Sequence, residues 1–135
     1  MNAHGLTEQD LTGLIPIFYE RVRTDQQLSP IFSAAVSDWP AHLDKLVDFW
    51  SSVMLGSGRY KGQPVLAHLR HADVMTTANF DRWLALWQDV TTEMLSAGKA
   101  SALQATARRI AQSLRLAIQF RPDDASPSRG TPLPA

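Results

Sequence analysis

No stretch of this chain alternates apolar with polar residues. Its apolar residues recur instead at intervals of three and four, the period of one face of an α-helix. Leu11, Leu14, Ile15, Phe18 and Val22 make one such stripe. Trp39, His42, Leu43, Leu46, Phe49, Trp50 and Val53 make a second. Phe80, Trp83, Leu84, Trp87, Val90 and Met94 make a third, and Leu103, Ala107, Ile110, Leu114 and Ala117 a fourth. An apolar helical face is stable only against another apolar face. The reading is therefore an all-α protein of about six helices packed on one another.

Of the 135 residues, 44% are hydrophobic and 19% charged, enough for the core of one domain. We place that domain at residues 1–120. Residues 121–135 hold four prolines with Ser, Asp and Gly, and read as a disordered tail. Net charge is zero and the basic residues are dispersed, which argues against a nucleic-acid partner. The absence of cysteine excludes disulfides and thiolate sites. Met1-Asn2-Ala3-His4-Gly5 lacks a signal-peptide pattern, and Asp48 interrupts the longest apolar run, Leu46 to Leu55. No membrane span and a cytoplasmic location are expected.

Local signals set the boundaries. Thr7 with Asp10 three residues on opens a first helix. Pro16 lacks an N–H and clashes with the preceding turn, so the spacing predicts a break there and a second helix ending near Asp25. Leu28-Ser29-Pro30-Ile31-Phe32 reads as a corner, with Pro30 holding Ser29 out of helical geometry and Ile31 and Phe32 dipping inward. Ser37-Asp38-Trp39-Pro40 opens the next helix, whose outer face carries Asp44, Lys45, Asp48 and Ser51, and Gly56-Ser57-Gly58 ends it. Pro64 starts a short helical segment through His68, and residues 71–76 read as irregular. Thr77 is expected to cap the following helix and Ala97-Gly98 to close it, with a last helix from about Lys99 to Phe120.

Two ligand constellations can be built on this frame. In one, His68 holds a haem iron from one side, while Tyr19, His42 and Trp83, on three other helices, face the ligand side. In the other, His68 and His71 bind a metal with Asp73 or His42 as third ligand. Against both stands a ligand-free helical domain, in which Tyr19 is a rim residue, His42 a hydrogen-bonded core histidine and Trp83 core filling.

Several dispersed motifs resemble the group III truncated haemoglobins. Residues Phe18 to Asp25 and Leu28 to Phe32 resemble their opening. Asp38-Trp39-Pro40-Ala41-His42, then Phe49-Trp50, resembles their distal helix. Leu55 to Pro64 followed by His68 resembles their proximal stretch, and Phe80 to Trp87 the helix behind the pocket. The resemblance runs from Leu6 to Phe120; Pro16 and the tail depart from it. It implies a shortened globin fold, a two-over-two helical sandwich enclosing haem b. It makes His68 the proximal iron ligand, Tyr19 and Trp83 ligand-side donors, and His42 a gate or third distal group. Phe32, Leu46 and Phe49 would line the haem, and Tyr60 and Arg70, with Arg59 and Lys61, would lie near its propionates. The ligands implied are O2, NO, CO and peroxide. Nitric oxide dioxygenation or peroxide reduction, with a reductase as partner, is favoured over oxygen transport. A non-catalytic oxygen or nitric oxide binding or sensing protein and a haem-free interaction module stay open.

Overall fold

Thr7 begins the ordered architecture with a reciprocal cap: its hydroxyl accepts from the Asp10 N–H, and its own N–H donates to the Asp10 carboxylate. The computed structural model describes residues 5–120, so the expected tail at 121–135 lies outside the described residues. Six α-helices follow in order: α1 Glu8–Thr24, α2 Ser29–Ala35, α3 Trp39–Leu55, α4 Pro64–Leu69, α5 Thr77–Met94 and α6 Ala97–Gln119. A 3-10 turn, Ala72–Val74, separates α4 from α5. No strand occurs among the described residues, and the all-α reading stands.

Helix α1 runs unbroken through Pro16, against the expected break. The ring lies on the exposed face, where water can serve the carbonyl that lost its partner, while Leu14, Ile15 and Phe18 on either side are fully buried. Docking of that buried face outweighs the cost of one missing hydrogen bond. The corner at Pro30 is itself a helix. Ser29 is its first residue, with its N–H on the Asp25 carbonyl, and Pro30 sits in its first turn where no N–H is needed. Helix α3 starts and stops as expected: the Asp38 carboxylate accepts from the Ala41 N–H, and Gly56 closes it at a left-handed φ of 71°. Thr76, one residue before the expected Thr77, caps α5. Helix α5 stops at Met94 with Leu95 extended, and Ala97-Gly98 opens α6 instead of closing α5.

Packing sorts the long helices into two pairs. Helix α1 lies against α3, α5 lies against α6, and the α1–α5 contact joins the pairs. Leu11, Leu14, Ile15, Phe18 and Val22 of α1 meet Trp50 of α3, Leu86, Trp87 and Val90 of α5, and Leu103 and Ala107 of α6 in one core. Coverage is uneven. Helix α2 and the 3-10 turn bury no residue, and α3 fully buries only Trp50 and Ser51 of its long apolar stripe. Val53, expected on the inner face, is exposed, and Ser51, expected on the outer face, is fully enclosed. The Ser51 hydroxyl donates its one hydrogen to the Glu8 carboxylate and shares a second hydrogen bond with the Ser57 hydroxyl. Arg59 clamps the same corner, forked onto Glu8 at 2.8 and 3.0 Å and onto Asp48 at 3.0 Å.

Candidate functional site

Tyr19 faces inward from α1 and is 4% exposed. Its ring is surrounded by Phe32 of α2 at 6.0 Å, and by Trp39 at 6.1 Å and His42 at 6.3 Å, both of α3, centroid to centroid. Trp83 of α5 stands edge-on to Phe18 at 5.1 Å, and its N–H favours the charged form of Tyr19 against the larger effect of burial. An indole nitrogen can only donate, so it makes no claim on the Tyr19 hydrogen, which stays available to a third group. Burial raises the Tyr19 pKa far above the ordinary phenol value, which keeps it protonated.

His42 is half-buried, with Trp39 edge-on at 5.6 Å. Burial lowers its pKa, and the neighbouring charges of Lys45 and His68 lower it further, so the imidazole is held neutral. In α4, Nδ1 of His68 lies 2.6 Å from the Pro64 carbonyl oxygen one turn back. A carbonyl can only accept, so Nδ1 carries the hydrogen and Nε2 keeps its lone pair for a metal.

This donor set fits a haem iron. An imidazole whose Nδ1 faces a carbonyl comes from one helix, and a protonated phenol and a neutral imidazole come from two others. Phe32, Leu46 and Phe49 are half-buried, packed on the core without being enclosed by it. Tyr60 stands edge-on to Phe49 at 5.2 Å and against Gly62, where an added Cβ would come within 2.5 Å of the Tyr60 hydroxyl oxygen. Lys61 and Arg70 are exposed. Of the four groups expected near the propionates, Arg59 stands apart, because Glu8 and Asp48 already engage it.

The metal alternative does not assemble. Among the described residues no three His, Asp or Glu side chains gather to hold an ion. His71 and Asp73 instead line a cavity of about 360 Å³ with Pro30, Ile31, Ala34, Ala35 and Val74. Sequence reasoning missed the Arg23 guanidinium, 4.6 Å above the Trp39 ring at the outer edge of the Tyr19 cluster. Nothing in the local sequence pairs residues from the end of α1 and the start of α3.

The bacterial-like globin family matches residues 2–120. A group 3 truncated haemoglobin of Campylobacter jejuni is 34% identical over 93 residues, 66% of this chain and 72% of that protein. The crystal structure of a group III truncated haemoglobin from Campylobacter jejuni superposes with a TM-score of 0.75 at 29% identity, covering 87% of this chain and 95% of that one. Globins bind haem and, on it, diatomic gases, and the donor set above suits that group. The chain belongs to the bacterial-like globins, as a truncated haemoglobin of group III.

Proposed function

We propose that the chain holds haem b through His68 as fifth iron ligand, binds O2, NO and CO on the opposite side, and serves redox chemistry at the bound ligand. Nitric oxide dioxygenation and peroxide reduction are the reactions meant. One observation carries the preference over transport: a buried, protonated Tyr19 with its own hydrogen to give. Haem supplies an iron that binds such ligands and exchanges electrons with them.

The chain's own residues do the rest. The Pro64 carbonyl fixes the His68 tautomer and raises the basicity of Nε2. Tyr19 donates to negative charge as it develops on a ligand, and the nearby Trp83 N–H makes its O–H a stronger donor. Such a donor in a water-poor pocket slows ligand release, which suits chemistry at the ligand and defeats delivery. Neutral His42 stands beside Tyr19 as a gate or a second polar partner. Phe32, Leu46 and Phe49 offer apolar wall, and Tyr60, Lys61 and Arg70 suit the propionate side. Turnover requires a reductase.

The absorption spectrum of the purified protein, wild type against His68→Ala, tests the assignment. A haem band in the wild type that is altered or lost in the variant is expected. An unchanged band would move the iron to His71 or His42, and no band in either would end the haem reading. With haem in place, turnover of nitric oxide or peroxide with a reductant separates an enzyme from a binding or sensing protein.

A further inference from the structure

Most aromatic pairs in this core meet edge to face or tilted. Phe18 touches Tyr19, Trp83 and Trp87 edge-on, yet three indoles lie flat on one another. Trp83 stacks on Trp87 at 5.3 Å and 13°, and Trp87 on Trp50 of α3 at 4.6 Å and 21°. The stack begins at Trp83, which meets the same Phe18 ring as Tyr19, and ends in the interior, with Trp87 and Trp50 only 1% and 3% exposed. The Trp87 N–H donates to the Leu103 carbonyl at 3.2 Å. That carbonyl favours positive charge on the indole and keeps its proton in place.

Other oxidisable rings near the pocket are worse donors of an electron. Tyr19 must lose its proton when oxidised, and its burial opposes that loss. Trp39 lies under the Arg23 guanidinium at 4.6 Å, whose charge opposes a second positive charge on that ring. Among the described residues the cations found over rings are Arg23 on Trp39 and Arg115 on Phe80, and neither covers the stack.

We propose that Trp83, Trp87 and Trp50 form a built-in one-electron donor to the haem pocket, holding an oxidising equivalent as a shared radical cation during peroxide reduction. This rests on the peroxide branch of the function proposed above. Hydrogen peroxide takes two protons from solvent and two electrons to give two waters, with its O–O bond broken. Trp83 supplies one of these electrons and the haem, once bound, would supply the other, and the positive charge spreads onto Trp87 and Trp50 without loss of an indole proton. A soluble one-electron reductant, supplied twice, refills both.

The test is electron paramagnetic resonance of the haem-loaded ferric protein, frozen shortly after hydrogen peroxide is added, with natural and with indole-deuterated tryptophan. A protein radical whose lines narrow on deuteration is expected. Trp87→Phe isolates Trp83 and should abolish that signal. Trp50→Phe, at the far end of the stack, keeps the Trp83–Trp87 contact and the Leu103 bond, and should shorten the radical's lifetime and speed haem bleaching several-fold. A tyrosyl radical, no protein radical despite an intact haem band, or variants indistinguishable from wild type would overturn the stack alone. A colourless wild type would overturn the haem reading and the stack together.

Discussion

In the proposed pocket Tyr19 and Trp83, both expected as donors, would do unequal work. Trp83 has a single N–H, which favours the charged form of Tyr19. A hydrogen bond to a charge-bearing group is worth about 1.5–3 kcal/mol, so Tyr19→Phe should speed oxygen dissociation by about tenfold or more. Trp83→Phe removes the indole N–H beside Tyr19 and should speed it about two- to tenfold. Flash-photolysis ligand kinetics would decide, and equal effects would place Trp83 directly on the ligand. His42 carries a pH signature. Burial lowers its folded pKa below the ordinary 6.5, with Lys45 and His68 adding to the effect. Below that value the unfolded chain binds more protons than the folded one, so stability rises with pH there and is lost on acidification. Urea unfolding between about pH 5 and 8 should show this slope, and His42→Gln should flatten it.

At the scale of elements, the sequence exposed what local chemistry decides and hid what docking decides. The Thr7 and Asp38 caps, the Gly56 stop and the four apolar stripes rest on neighbours within a turn or two, and all were legible. Helix α2 was not, because seven residues with adjacent Ile31 and Phe32 show no helical repeat, and its place depends on packing against α1. Gly98 suggested a helix end, yet it lies in the first turn of α6 without a left-handed φ. Ser51 looked like a surface residue because its partners, Glu8 and Ser57, belong to other segments. At the site, the residue types were legible, while the Tyr19–His42 and Arg23–Trp39 contacts depend on how helices cross. Pro16 gives the sharpest test at this scale. A helix-interior proline costs about 3 kcal/mol against alanine, offset by about 0.4–1 kcal/mol through its stiffening of the unfolded chain. Pro16→Ala should therefore stabilise the protein by about 2 kcal/mol, read from the urea midpoint.

Across the whole molecule, burial is lopsided. The core lies among α1, α5, α6 and the Trp50 turn of α3, while α2 and the 3-10 turn bury nothing. A ligand that binds only the folded state adds stability by mass action, and it protects most the segments that depend on it. Haem removal should lower the melting temperature. It should also collapse amide-exchange protection in α2, α4 and the 3-10 turn while α1, α5 and α6 keep most of theirs. Uniform loss of protection would mean that the core does not hold without haem.

The pairing of the helices also sets an order of events during synthesis. Helices α5 and α6 are joined by Leu95 and Ser96 alone, so their mutual contact closes a very short loop. Helix α1 leaves the ribosome first, but its partner Trp87 lies more than sixty residues further along the chain. Until α5 emerges, Leu14, Ile15 and Phe18 have only α2 and α3 to lean on. The nascent chain thus spends much of its translation with the buried face of α1 half-sheltered, a natural client for a chaperone, and the α5–α6 hairpin is the one that seals it.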